Sequence, residues 1–197
     1  MLSTSTSLSG QLSDAEFDEA LRTFAHTAFR LELQPVYLVD YERQRVARFL
    51  AGDPQYPSET SYSTQWQDQI RRLTREGKRV GRVRVQEDPQ TDYQRWERWV
   101  GQWNIAAGEC MRYMTRQQAH EVGLLPAAGD QDWWLLDSQR LIVMNFDAEG
   151  HPLSYEWMTD PPAVLQACAW RDLAVHHSIR EHVHDPPLDP EEYQAQL

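Results

Sequence analysis

The residues best suited to chemistry lie between Arg71 and Asp137. Arg71, Arg72, Arg75, Lys78, Arg79, Arg82 and Arg84 crowd one stretch against a single acid, Glu76. Guanidinium groups pair bidentately with phosphate and carboxylate, so this cluster suits an anionic ligand, RNA, an acidic partner or the chain's own surplus acids. Pairing with the chain's own acids is the favoured reading. Glu32, Glu109, Asp132 and Asp137 are acids placed to supply it to Arg30, Arg82, Arg84 and Arg112. Two such carboxyls held together also suit general acid–base work, which makes Glu109 and Asp132 catalytic candidates. Cys110 is the third. A thiolate nucleophile needs a cation or histidine beside it, and Arg112 follows two residues later with His120 further on. No Cys–His protease signature accompanies it, so packing is its expected role, and Cys168 belongs to a core segment.

Eight tryptophans add a second theme. Trp66, Trp96 and Trp103 fall on apolar stripes and read as packing. Trp133 and Trp134 are neighbours on one strand and must face opposite ways. Trp99 sits off the stripe of its helix, between Arg95, Arg98 and Gln102, where it suits a pocket, a partner surface or a second packing layer. An aromatic ring beside arginines can stack a planar ligand. Arg82, Arg84, Arg112 and Trp134 are therefore the candidate ligand-binding residues. His177, Glu181 and His184 would share one helical face, but Asp185-Pro186 ends the helix there, so no metal site is expected and no cofactor is implied.

These residues need elements to hold them. Ser13-x-x-Glu16 is a capping box ahead of the stripe Phe17, Leu21, Phe24 and Ala28, predicting a helix of four turns. Phe29, Leu31 and Leu33 alternate with polar residues as a strand. Helices follow over Tyr41–Leu50 and from Tyr62 to a cap at Gly77. Gly81, Val83 and Val85 then take one face of a strand, with Arg82 and Arg84 on the other. A helix over Asp92–Ala107 and a strand over Cys110–Met114 complete a crossover, so the two strands should be adjacent, parallel and central in the sheet. Three segments, 132–137, 141–146 and 153–158, form an antiparallel meander, and a long helix runs from Ala163 to His182. The fold class is α+β: a mixed sheet with one parallel crossover, a meander and helices packed on it. Residues 1–12 are expected to be disordered, 13–184 to form a single domain, and 185–197 to be a Pro-rich acidic tail.

Several of these segments together resemble an uncharacterised actinobacterial domain-of-unknown-function family. The matching residues are Ala28–Glu32, Arg48–Gly52, Gly81–Val85, Asp92-Tyr93, Ala107-Gly108-Glu109 with Arg112, and Asp132–Asp137. The chain departs from the family at Cys110, where an acid is usual, and at Trp133, where Phe is usual. The resemblance implies genes beside helix-turn-helix regulators of the streptomycete kind. The order of elements in the second half also resembles the sensor domains of some transcription regulators and the phospholipase D half-domain, but the His-x-Lys motif of the latter is absent.

Composition narrows the function. The chain has 197 residues with 19 Lys+Arg against 30 Asp+Glu, a net charge of −11 that repels polyanions and argues against nucleic acid as a partner. No apolar run reaches the roughly 18 residues of a membrane span, and the N-terminus lacks the order of a signal peptide. Two cysteines make no disulfide framework. A cytoplasmic protein is expected. The favoured reading is a non-enzymatic, regulatory accessory module for a small molecule or protein partner. The alternative is a small enzyme of specialised metabolism with a pocket of tryptophan, arginine and acid.

Overall fold

The computed structural model describes residues 9–184 and 187–195. In chain order these form β1 (Ser9–Leu12), α1 (Asp14–Thr23), β2 (Thr27–Glu32), α2 (Asp40–Leu50), a 3-10 turn (Pro57–Glu59), α3 (Ser61–Arg75), β3 (Arg79–Gln86) and α4 (Asp92–Ala107). Then come β4 (Cys110–Thr115), α5 (Arg116–Glu121), β5 (Asp132–Leu136), β6 (Arg140–Phe146), β7 (Pro152–Met158), α6 (Pro161–His177), β8 (Ile179–Arg180) and α7 (Pro190–Gln194). Polar side chains open several of the helices, though not α2 or α3. Ser13 with Glu16, Thr91 with Gln94 and Thr115 with Gln118 are reciprocal capping boxes, and Asp160 caps α6 ahead of its two prolines. No described helix is long and apolar enough to cross a membrane.

The strands make one sheet in the order β1-β7-β6-β5-β2-β3-β4-β8. β3 and β4 are parallel across the α4 crossover, and β5–β7 are the expected meander, so the α+β reading with a mixed sheet holds. A second parallel pair, β2 with β3, spans the α2–α3 connection. It pushes β3 and β4 off centre, so that only the two-residue β8 lies outside β4. Helices cover both faces. On one, α1 to α4 pack with Trp134, Ile142 and Met144. On the other, α5 and α6 pack with Leu31, Val83, Val85 and Trp133.

Four expectations change. Ser9–Leu12, expected to be unstructured, pairs antiparallel with β7; residues 1–8 lie outside the described part. Helix α1 stops at Thr23 because the Asp137 carboxylate accepts the backbone N–H groups of Ala25, His26 and Thr27 at 2.6–2.8 Å, turning the chain into β2 with Ala28 on the sheet. The long closing helix ends at His177. Arg112 donates to the Ser178 carbonyl at 2.7 Å and its hydroxyl at 3.0 Å, and the chain continues as β8 against β4. The histidine face therefore does not form, and Glu181 pairs with Arg98 instead. Of the expected acidic tail, residues 187–195 are docked, while 185–186 and 196–197 lie outside the described part. Leu188 exchanges hydrogen bonds with Gln102 and accepts from the Trp99 indole at 3.1 Å, while Tyr193 is buried. Trp99 is off its stripe because it faces this segment, where it is fully buried.

Gly108 ends α4 in the left-handed region at φ 113°, and a Cβ there would lie 2.6 Å from the Thr74 hydroxyl. Gly123 also has positive φ, 76°, but open space around it. Left-handed backbone costs an ordinary residue about 1–2 kcal/mol. Gly123→Ala should therefore lose about 1 kcal/mol in urea denaturation, and Gly108→Ala clearly more, because α3 must also give way.

Candidate functional site

The in-phase pairing of β2 with β3 sets Arg30 beside Arg82 and Glu32 beside Arg84, all on the face covered by α1–α4. Pairing of β2 with β5 adds Trp134 opposite Arg30. What results is a buried charged layer. Glu32 accepts from Arg30 at 3.1 Å, from Arg82 at 2.9 Å and from the Nε of Arg84. Each arginine holds a further carboxylate: Asp132 on Arg30 at 2.7 Å, Glu109 on Arg82 at 2.5 Å, and Glu97 on Arg84 at 2.7 Å. Asp132 also accepts from the Tyr37 hydroxyl and the Leu33 N–H. Tryptophan rings flank the cations, with the Arg82 guanidinium 5.9 Å from both the Trp66 and Trp134 centroids.

Burial and charge oppose each other here. Burial works against ionisation of Glu32, but its three guanidiniums hold it far below the usual carboxylate range. Burial prevails for Asp132 and Glu42, whose pKa values rise although Tyr37 and Tyr93 donate to them. Glu97 is pushed up to about 8, again chiefly by burial, with Arg84 opposing and Glu32 and Glu42 adding to the rise.

Above this layer lies a cavity of about 400 Å³. Its floor is Arg30, Glu32, Arg82, Arg84 and Trp134, and its walls come from the helices: Phe17 of α1, Arg45 of α2, Trp66 of α3, and Trp96, Glu97 and Asn104 of α4. Tyr41 and Tyr62, both exposed, stand at the mouth with ring centroids 4.2 Å apart. Arg45 is 5% exposed, its guanidinium 5.3 Å from the Trp96 ring centroid.

The expected site residues divide between the two faces. Arg82, Arg84 and Trp134 line the cavity. Cys110 and Arg112 align with Gly81 and Val83, on the opposite face, so they do not join the other three. Arg112 binds Ser178. Cys110 is half-buried, and His120 lies on the exposed side of α5 beyond the far end of β4. Glu109 and Asp132 are held in ion pairs beneath the cavity. The basic stretch also divides: Arg71 and Arg72 pair on the surface of α3 with Asp68 and Glu76, while Arg82 and Arg84 are internal. Sequence reading missed Arg45 and Glu97. Their signal was an ionisable residue on an apolar helical face: Arg45 lies four residues from both Tyr41 and Phe49, and Glu97 four from Tyr93 and three from Val100.

A mixed sheet clad on both faces, with a charged and aromatic-walled cavity between sheet and helices, makes this an α+β domain whose helices cover a charged sheet face. The chain belongs to the family Domain of unknown function (DUF6879), which matches residues 15–183. Among solved structures it is similar to a phospholipase D family member, Nuc from Salmonella typhimurium, at 8% identity over 90% of this chain and 98% of that one, TM-score 0.50. It is also similar to NucT from Helicobacter pylori, at 8% identity over 88% and 98%, TM-score 0.46. TrmBL2, an archaeal chromatin protein with a novel mode of DNA binding, matches at 7% identity over 90% and 55%, TM-score 0.42. The likeness to Nuc is one of fold alone. No curated protein matches the chain in sequence.

Two outcomes follow. Glu32→Gln removes the charge shared by three buried guanidiniums and should cost about 3–5 kcal/mol in chemical denaturation. Glu97 holds its proton in the folded state up to about pH 8, whereas the unfolded chain releases it near the ordinary carboxylate value. Its contribution is thus present below that ordinary value and lost as pH rises to about 8. Melting curves of wild type and Glu97→Gln should be closest at pH 5 and diverge by pH 9, with the variant more stable by about 2–4 °C for each kcal/mol.

Proposed function

We propose that this protein is a non-enzymatic module that binds a small molecule in the cavity between α1–α4 and the charged face of the sheet. One observation carries the reading. The Nε of Arg30, the Nε and Nη2 of Arg45 and the indole N–H groups of Trp96 and Trp134 belong to residues lining the cavity, and none finds an acceptor among the described residues. Buried donors are costly without a partner, and a bound molecule would supply one. The volume suits a small organic ligand. Arg82, Arg84 and Trp134 are the sequence-derived residues that we retain as ligand-binding.

An enzyme reading finds less support. Cys110 lies across the sheet from the cavity, and Glu109 and Asp132 are committed to arginines. The likeness to Nuc does not bring phosphodiester chemistry with it, since the chain lacks a His-x-Lys pair. Net charge and the surface pairing of Arg71 and Arg72 argue against nucleic acid as the partner. A cytoplasmic setting beside helix-turn-helix regulators, as the sequence resemblance implies, would make the bound molecule a regulatory signal.

The test is native mass spectrometry of the purified protein together with a thermal-shift screen of small molecules. Ligands should be retained or raise the melting temperature of wild type. Asn104→Trp, which narrows the cavity, should weaken them at least tenfold. Cys110→Ala should bind like wild type, within twofold, and cost about 1 kcal/mol or less of stability. Loss of a bound-ligand effect in Cys110→Ala, with the cavity variant unaffected, would move the site to the other face.

A further inference from the structure

We infer that the cavity's ligand is a small organic oxyanion, with Arg45 as the residue that recognises its carboxylate or phosphate and the tryptophan walls holding a planar body. The inference rests on reading the cavity as a ligand site and adds the ligand's chemical class. Four arginines line the cavity, and three of them are matched. Arg30, Arg82 and Arg84 each hold two carboxyl groups within 3.1 Å. Arg45 is 5% exposed and forms no ion pair among the described residues, although the Glu42 carboxyl acts on it from beyond hydrogen-bonding distance. Glu42, three residues before it, takes the Tyr93 hydroxyl at 2.6 Å instead. A buried guanidinium left without a counter-ion costs several kcal/mol.

The unpartnered atoms are specific. Nε–H and the neighbouring Nη2–H lie on one edge of the guanidinium plane, the edge that a carboxylate or phosphate takes with two parallel hydrogen bonds. The other unpartnered cavity groups are the Arg30 Nε and two indole nitrogens, which can only donate. A ligand rich in acceptors matches these donors in kind. A cation offers these donors no acceptor. Trp96 lies beneath Arg45, and Tyr41 and Tyr62 stand over the entrance, so a flat ring attached to the anion has aromatic surface on two sides.

The experiment compares benzoate, phenylphosphonate and uncharged benzamide at millimolar concentration and pH 7. Binding is read from ¹H–¹⁵N spectra of the indole N–H groups, with Trp96 and Trp134 assigned through their Phe variants. Benzoate or phenylphosphonate should shift the Trp96 indole resonance and bind at least tenfold more tightly than benzamide. Whichever anion binds better identifies the carboxylate or the phosphate class. Arg45→Gln should remove that preference, and Arg45→Lys should restore part of it. The comparison of benzoate with benzamide in wild type needs no variant, so it stands even where Arg45→Gln does not fold. Equal binding of all three would overturn the anion inference and leave the cavity reading in place. No response of the Trp96 or Trp134 indoles to any probe, with no ligand seen by native mass spectrometry, would overturn both.

Discussion

One carboxylate, Glu32, holds together the most costly part of this molecule. It sits at the end of β2 and neutralises guanidiniums from its own strand and from β3. Charges this deep lose their hydration, and only closely placed opposite charges offset the loss. Arg30, Arg82 and Arg84 must therefore meet Glu32 at hydrogen-bonding distance. That requirement fixes the parallel register of β2 on β3. A slip of one residue would turn Arg82 and Arg84 towards the apolar face and leave Glu32 facing Gly81, Val83 and Val85.

The same constraint shapes the cavity above. Successive parallel crossovers in one direction stack their connections on a single face of a sheet. Here that face is the charged one, so α2, α3 and α4 close over arginines and acids instead of over a uniform apolar surface. They meet the layer with tryptophan and tyrosine, whose rings tolerate a guanidinium edge or face. Gly108 contributes at the margin. Its left-handed turn after α4 brings Glu109 under Arg82 while the chain reverses into β4. The space left between the ion pairs and the aromatic residues is charged on one side and aromatic on the other, and it opens past Tyr41 and Tyr62.

Much of the scaffold was legible from pattern. The capping box at Ser13, the β3–α4–β4 crossover and the meander all follow from local rules. What failed depended on distant partners. The end of α1 is set by Asp137, more than a hundred residues away, and the end of α6 by Arg112. The site was legible in part for the same reason. Alternation puts Arg82 and Arg84 together on one face of β3, but it cannot say whether Cys110 and Arg112 share that face. Only the register of β4 on β3 decides this, and no local feature of either strand encodes it. Arg45 was readable in principle, as an arginine four residues from both Tyr41 and Phe49 in the expected helix.

The two faces of the sheet divide the energetic work. Leu31, Val83, Leu135 and Ala167 belong to an apolar cluster that gains stability simply by excluding water. The opposite face gains much less, because a buried ion cluster is often no more stabilising than apolar residues of the same volume. Such a layer persists where its charges and shape serve something other than stability. In this chain the surplus from one face offsets the cost of the other, and the product of that cost is a rigid charged floor under an open cavity. Arg45 fits this logic from above. It is the one lining arginine without a carboxylate, placed where Glu32 and its partners have already settled the remaining charge.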